Sequence, residues 1–233
     1  MNARIMKAVE QRGITRLCHF TPSRNLGHIL IDPHGILATK YLKIDDRAVL
    51  NSTDLKRLDG HPDHVCCSIQ YPNAWYFRKA RNDERLFLDW VVVFIKPHYL
   101  CVAGTKFCPM NAAASLGRYL REGEQGFDDL FAESTRDTQG RTYNRGATHP
   151  TYLPSNEQAE VLVPDRIVKE DLLGIAVADE AQAKRELAAL RILDIAPPRI
   201  WIVPAFYQPR WLSTTLRAGR EPKETEFNGG EHD

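Results

Sequence analysis

The sequence contains little that would tie the chain to a membrane, to export or to a disulfide framework. Its longest apolar run, Trp90 to Ile95, is far shorter than the roughly 18 residues that a bilayer-spanning helix needs. The opening MNARIMKAVEQRG has no apolar core of a signal peptide. The five cysteines are an odd number and two are adjacent, which is a poor basis for paired disulfides. We therefore expect a cytoplasmic protein with reduced cysteines.

Other absences narrow the function. No CxxC pair occurs, so we expect no structural zinc site and no bound metal. No GxSxG motif surrounds a serine, which argues against a serine hydrolase. The formal net charge is +1, so any contact with nucleic acid must come from a local patch of the surface. The chain has 233 residues, of which 43% are hydrophobic, and this suits an ordinary globular protein.

Hydrophobic periodicity and turn residues predict an α+β fold in a single domain over residues 1–216. Helices are predicted over 3–12, 24–31, 74–81, 127–131 and 180–190. Strands are predicted over 14–20, 35–40, 64–70, 86–95, around Glu160, 172–177 and 199–206. Strands outnumber helices, and the helices fall mainly between the early strands, which favours α+β. Residues 217–233 are polar and are predicted to form a flexible tail.

A glutamate interrupts an apolar run in the stretch NEQAEVLV, residues 156–163. Strand alternation places Gln158 and Glu160 on one face, and Ala159 and Val161 on the other. If the first face meets solvent, Glu160 is an ordinary surface residue. If it lines a cleft, the carboxylate can bind a hydroxyl or stabilise a cation. Periodicity alone leaves both readings open.

Several upstream side chains are also candidates. His19 and Thr21 end one predicted strand and point to the same side of it, so they could bind a polar ligand. Ser68 lies on the strand HVCCSIQ, where it could equally fill space. The helix AWYF, which includes Phe77, could wall a flat ligand, although aromatic residues more often belong to the core.

Two polar segments carry arginines that could meet phosphates. The first, over residues 43–63, contains Arg47 and Arg57. The second is a long loop, ESTRDTQGRTYNRGATHPTYLPSN, that mixes cations with rings: Arg141, Tyr143, Arg145, His149 and Tyr152. Each cation alone could be a solvated surface charge. Together with the rings they suit single-stranded nucleic acid, whose phosphates attract arginine and whose bases stack on aromatic residues.

Four segments in order carry a family resemblance. They are LCHFTPSRNLGHIL, RLDGHPDHVCCSIQYPNAWYF, KFCPMNAAA and NEQAEVLV. Together they resemble the DarT family of DNA ADP-ribosyltransferase toxins. The thymine-modifying branch of that family has a Tyr-Val-Pro-Phe-Tyr-Phe block where this chain has CCSIQYPNAWYF. The sequence is therefore similar to the other branch, which implies guanine as the target.

The resemblance implies an ADP-ribosyltransferase fold, in which two small antiparallel or mixed sheets with flanking helices form an NAD cleft. NAD is the implied co-substrate, and no dinucleotide Gly-rich fingerprint is expected or present. Glu160 would be the catalytic glutamate of this glycosyltransferase-class enzyme. The implied NAD-binding residues are His19, Thr21, Asn25, Ser68 and a stacking aromatic, which would be Tyr71 or an aromatic of residues 75–77 such as Phe77. Either Arg57 or Arg47 would lie near the NAD phosphates.

The resemblance also implies a substrate loop and a partner. The loop before Glu160 would recognise single-stranded DNA through Arg141, Tyr143, Arg145, His149 and Tyr152, with Gln158 as a further contact. The modification would block replication, and a DarG-like macrodomain antitoxin would remove it. Two alternatives stay open from the residues: transfer to RNA or protein, and a nucleic-acid-binding module without enzymatic activity.

Overall fold

The computed structural model of the chain describes residues 1–42, 57–84 and 87–229. The helices are α1 Ala3–Arg12, α2 Leu26–Ile31, α3 Ala74–Asp83, α4 Gly123–Asp129, α5 Glu180–Ile192 and α6 Pro209–Arg217. The strands are β1 Leu17–Pro22, β2 Ile36–Leu37, β3 His64–Ile69, β4 Trp90–Ile95, β5 Lys106–Cys108, β6 Arg121–Glu122, β7 Ser134–Arg136, β8 Thr142–Asn144, β9 Glu160–Pro164, β10 Arg166–Ile167, β11 Leu172–Val177, β12 Ile200–Ile202 and β13 Thr225–Glu226. These elements confirm the α+β class.

Nine of the strands form one sheet in the order β13-β12-β11-β4-β1-β3-β9-β5-β6. Strands β11 and β12 run parallel because α5 returns the chain between them, and the other neighbouring pairs described in this sheet are antiparallel. Two small ladders, β2 with β10 and β7 with β8, lie apart from it. The expected pair of small sheets is therefore replaced by one continuous sheet with two accessory ladders.

The sheet is narrow at one point. Strands β1 and β3 pair only at Leu17 with Ile69 and at Cys18 with Ser68. Beyond these pairs the two strands separate, and the His19 ring crosses the gap, with Nδ1 2.8 Å from the carbonyl oxygen of Cys66. This waist divides the sheet into two halves, so the expectation of two sheets is matched only roughly.

The central strand β4 shows why both faces of the sheet are covered. Every residue of WVVVFI is buried, so neither face can meet water. One face, formed by Val91, Val93 and Ile95, belongs to a hydrophobic cluster that includes Ile5 and Val9 of α1 and Phe127 of α4. The other face, formed by Trp90, Val92 and Phe94, packs against Phe77 of α3 and Leu212 of α6.

Local sequence signals set the helix ends. The side chain of Asn2 accepts hydrogen bonds from the first turn of α1, and Gly13 ends that helix with φ 72° in the left-handed region. Asp179 caps α5 by accepting from the Gln182 amide at 2.8 Å. These caps explain why the predicted boundaries at residues 3–12 and near 180–190 agree with the structure. None of the described helices is long and apolar enough to cross a membrane.

The segment after α6 differs from the expected flexible tail. Thr225–Glu226 pairs with β12 and adds an edge strand to the sheet. Glu224 forms a largely buried ion pair with Arg16, and Arg199 donates to both carboxylate oxygens of Glu226. Glu224 and Glu226, which look solvated in the sequence, are thus held by arginines that directly precede β1 and β12.

Candidate active site

A cleft opens where β1 and β3 diverge. It has a volume of about 1030 Å³, at the upper end of the range for small-molecule sites. The β1–β3 waist closes one end, and α2, β2 and the start of β9 contribute further walls. Six of the sequence-predicted site residues line it together: His19, Thr21, Asn25, Arg57, Ser68 and Glu160. Their sequence positions span most of the chain, so the fold itself assembles them.

Glu160 is the first residue of β9 and only 7% of it is exposed. Its Oε1 accepts hydrogen bonds from Asn111 Nδ2 at 2.8 Å and Asn73 Nδ2 at 3.2 Å. Its Oε2 accepts from the Ala112 amide at 2.8 Å. An ionised carboxylate accepts all three bonds, and donors on both oxygens fix its orientation. The alternative that Glu160 is an exposed strand residue is therefore excluded.

The two asparagines that hold Glu160 are themselves held by backbone. Asn73 caps α3 by accepting from the Tyr76 amide at 3.1 Å, and Asn111 Oδ1 accepts from the Ala114 amide at 3.0 Å. Each amide group therefore turns its Nδ2 toward the carboxylate. Neither asparagine was among the candidates selected from the sequence. An asparagine directly before the predicted helix at 74 is a cap signal that could have drawn attention to Asn73.

On the opposite wall, His19 has a defined protonation state. A carbonyl oxygen only accepts hydrogen bonds, so the ring nitrogen that faces Cys66 O, Nδ1, carries the proton. Burial lowers the pKa of His19 below its ordinary value. The ring is therefore neutral near pH 7, and Nε2 is left as an acceptor.

Thr21 and Asn25 form a buried pair beside His19. Asn25 Nδ2 donates to Thr21 Oγ1 at 2.8 Å. Asn25 Oδ1 has no hydrogen-bond partner within the described part of the chain, although Asn25 is only 8% exposed. A buried acceptor without a partner is costly. Because Asn25 lines the cleft, this oxygen is suited to accept a bond from a hydroxyl or amide of a ligand.

Arg57 brings a cation into the cleft wall. Its Nε and Nη2 donate to the two oxygens of Asp59, at 3.2 and 2.9 Å, and Nη1 donates to the carbonyl oxygen of His64 at 2.6 Å. Arg57 has φ 35°, in the left-handed region that favours glycine. The bidentate pair and the third bond hold the guanidinium in place despite that backbone. The other candidate, Arg47, lies outside the described residues.

The structure places the predicted stacking residues elsewhere. Phe77 is fully buried and stacks on Phe20 with ring centroids 4.8 Å apart, and Tyr71 is 6% exposed and borders a different cavity. Tyr76 lines the cleft instead. Successive residues of a helix point about 100° apart, so residues 76 and 77 of α3 cannot both face the cleft. Of the expected stacking residues, Tyr71 and Phe77 therefore lie away from the cleft, and Tyr76, from the same range 75–77, lines it.

A second cavity of about 630 Å³ adjoins the first, and Ser68 lines both. The hairpin β7–β8 and the loop after it contribute three of the predicted substrate residues to its wall: Arg141, Tyr143 and His149. Trp75 of the AWYF helix and Glu157, which was not selected from the sequence, line it too, and Trp75 Nε1 donates to Glu157 Oε1 at 3.1 Å. The long polar loop thus faces a cavity next to the Glu160 cleft.

Three other predicted substrate residues do not line this cavity. Arg145 stabilises the loop by donating to the carbonyl oxygens of Leu153 at 2.7 Å and Pro150 at 2.9 Å. The Tyr152 hydroxyl donates to Glu221. Gln158 lies in a turn, because β9 begins only at Glu160. Strand alternation therefore does not extend back to Gln158, which corrects its predicted placement on the face of Glu160.

Comparison with known proteins identifies the family to which the chain belongs. The model of one protein family, described as "ssDNA thymidine ADP-ribosyltransferase, DarT", matches residues 18–208. The chain belongs to the DarT family. The matched region contains all six cleft residues and the hairpin β7–β8. No curated protein matches the chain.

Solved DarT structures share the fold. DarT from Thermus sp. 2.9 in complex with NAD+ aligns with a TM-score of 0.55 and 17% identity, covering 83% of this chain and 97% of that chain. Its complex with carba-NAD+ gives 0.51 and 16%, with the same coverage. DarTG from Thermosipho africanus, in complex with ADP-ribose, gives 0.54 and 16%. That match covers 83% of this chain but 51% of the other, so the chain spans about half its length.

Proposed function

We propose that this chain transfers ADP-ribose from NAD to guanine in single-stranded DNA and releases nicotinamide. The family description names single-stranded DNA and ADP-ribosyl transfer. The observation that carries the proposal for this chain is the carboxylate of Glu160. Three donors fix it in the wall of a large cleft, and a second cavity with cations and rings adjoins that cleft at Ser68.

The cleft residues fit the parts of NAD. We propose that His19, Thr21 and Asn25 hold the nicotinamide ribose, because they offer two acceptors, His19 Nε2 and Asn25 Oδ1, to sugar hydroxyls or the carboxamide. Tyr76 provides a ring for stacking in place of Tyr71 or Phe77. Arg57, which lines the cleft, would supply the cation for the diphosphate, and Ser68 would lie beside the nicotinamide.

The proposed chemistry uses Glu160 twice. When bound, NAD supplies an ADP-ribosyl group whose C1′ becomes positively charged as nicotinamide leaves. A carboxylate held at a fixed point stabilises such charge without reorganising, as in glycosidic cleavage. The same carboxylate can accept a proton from the base nitrogen that attacks C1′. The rigid hydrogen bonds from Asn73, Asn111 and Ala112 keep it aimed through both steps.

The second cavity suits an unpaired base. Arg141 offers a cation for phosphate, and Tyr143 and His149 offer rings, the combination found in single-strand binding sites. A single strand also avoids the unpairing cost of about a few kcal/mol per base that a duplex would impose.

Guanine is proposed as the base although the family description names thymidine. One support is the block CCSIQYPNAWYF, which differs from the thymine-modifying branch. Another is the chemistry of the transfer, because guanine carries an exocyclic amino group and thymine does not. An amino group also gives Glu160 a proton to accept.

A DarG-like macrodomain antitoxin is the proposed partner. Its support is the resemblance to a toxin family and the fold shared with the Thermosipho africanus protein described as DarTG. In this proposal the modified base blocks replication until the partner removes it.

The test is mass spectrometry of single-stranded oligonucleotides after incubation with the purified chain and NAD. We expect one ADP-ribose on a guanine of the DNA, absent with Glu160→Gln. Adducts on thymine would overturn the base assignment but not the family chemistry. Adducts only on RNA or protein would replace DNA as the acceptor. DNA binding without NAD turnover would contradict the proposal and would favour a nucleic-acid-binding module without enzymatic activity.

A further inference from the structure

A cluster of metal-ligand side chains lies at the turn before β3, in the sequence HPDH. The nearest ligand atoms of His61, Asp63 and His64 all lie within 4.8 Å of one another. The turn is fixed by backbone bonds: the His64 amide donates to His61 O at 3.1 Å, and the Asp165 amide donates to Asp63 O at 2.9 Å. The three side chains therefore start from a defined frame.

The hydrogen bonds of His64 point to a cation at this turn. His64 Nε2 lies 3.1 Å from the carbonyl oxygen of Gly104, which only accepts, so Nε2 carries a proton. Nδ1 then faces Asp63 Oδ1 at 2.7 Å. A ring lone pair and a carboxylate at that distance need a cation between or beside them, either a second proton or a metal ion. An imidazole that donates its far N–H to a backbone carbonyl is the usual arrangement of a metal-ligating histidine.

The spacing also suits a single ion. Tetrahedral zinc with bonds of about 2.0–2.2 Å places its ligand atoms roughly 3.4 Å apart. The contacts of Asp63 Oδ1, 2.7 Å to His64 Nδ1 and 3.9 Å to His61 Nδ1, bracket that value. Rotations of the two partly exposed side chains, His61 and Asp63, would equalise the distances. The buried His64 would stay in place.

The surrounding charges tolerate a cation. Outside the cluster itself, the charged groups that act on His61 are Lys106 and Asp59. Lys106 is paired with Glu122 at 2.5 Å, and Asp59 is paired with Arg57. Within the described part of the chain, the ion pairs of Asp63 are with His61 and His64, and none is with a lysine or an arginine.

We propose that His61, Asp63 and His64 bind Zn²⁺, with water completing the coordination. The expectation of no metal rested on missing CxxC pairs, which concern thiolate sites and not this kind. The ion would tie the turn to β3 and so fix the carbonyl oxygen of His64, which accepts from Arg57 Nη1. The site would be structural, and it would hold the cleft arginine in position.

The experiment measures zinc directly on the full chain after chelator treatment and dialysis. Calorimetric titration with ZnCl₂ should give one equivalent per chain, and bound zinc should raise the Tm. His61→Ala and Asp63→Asn should weaken binding by at least about tenfold and abolish the rise in Tm. Neither side chain is buried, so both variants should fold. His34→Ala, which removes an exposed histidine paired with Asp32 at 2.8 Å, should bind zinc as the wild type does.

A cobalt titration separates this site from the cysteines. Co²⁺ on nitrogen and oxygen ligands should show weak d–d absorption without a thiolate charge-transfer band, and Cys66→Ser should not change it. A thiolate band, or loss of binding in Cys66→Ser but not in His61→Ala, would overturn the assignment. Absence of saturable zinc binding would show that the contact between His64 and Asp63 is a proton-mediated pair only, and would overturn it too.

Discussion

Asn111→Ala tests whether Glu160 depends on the groups that position it. The substitution removes the 2.8 Å bond from Asn111 Nδ2 to Glu160 Oε1. It also removes the 3.0 Å bond from the Ala114 amide, which steadies the turn whose Ala112 amide donates to Oε2. A hydrogen bond to a charged group contributes about 1.5–3 kcal/mol, and about 1.4 kcal/mol is tenfold in rate. Asn111 is half-buried, so water replaces part of this bond, and we expect kcat to fall by roughly tenfold.

The assay is nicotinamide release with NAD and single-stranded DNA as substrates. If Asn111 acts by orienting the carboxylate for the transition state, kcat falls while KM for NAD changes by no more than about twofold. Gln125→Ala is the matched control, because it removes an amide–carboxylate bond of 2.7 Å, to Asp129, on the exposed surface. It should leave kcat unchanged. Wild-type kcat in Asn111→Ala, alongside a large loss in Glu160→Gln, would refute the positioning argument.

Three further predictions follow from burial and hydrogen bonding. Tyr76→Ala should weaken NAD binding with little change in stability, whereas Phe77→Ala should lower the free energy of unfolding by about 3–5 kcal/mol; calorimetry and urea denaturation separate the two. Arg145→Ala should destabilise the chain by about 2 kcal/mol through its lost carbonyl bonds, and a Tm equal to wild type would contradict this. Burial lowers the pKa of His19, so its contribution to stability is complete above about pH 6.5 and declines as pH falls. Because burial also lowers the pKa of His61 and of His149, denaturation between about pH 5 and 7 should show a larger loss in wild type than in His19→Gln, and equal losses would contradict this.

Local patterns predicted the elements whose signals are local. Gly13 and Asp179 sufficed for the end of α1 and the start of α5, whereas the strand predicted over 86–95 begins only at Trp90. The pairing of β13 with β12 was out of reach, because its polar residues are held by Arg16 and Arg199 from elsewhere in the chain. Long-range ion pairs leave no periodic trace in a sequence.

In the candidate site, too, residues with local sequence signals could be predicted and residues placed by long-range contacts could not. Short motifs selected Glu160, His19, Thr21 and Asn25, and the cleft brings them together. Asn111 could not be selected, because its role depends on β5 lying beside β9, which no spacing reveals. Gln158 was misplaced since alternation was extended past the true start of β9.

The narrow junction between β1 and β3 has a consequence for the cooperativity of the fold. A sheet usually unfolds as one unit because each strand is hydrogen-bonded to its neighbours along its length, whereas here two residue pairs and the His19 ring join the two halves of the sheet. One hydrophobic cluster nevertheless spans the junction, with Val93 and Ile175 from one half and Val65 and Val161 from the other. Native-state amide exchange should therefore release the amides of β4 and β9 in the same opening, with earlier exchange confined to the amides of β1 and β3 that face each other across the gap.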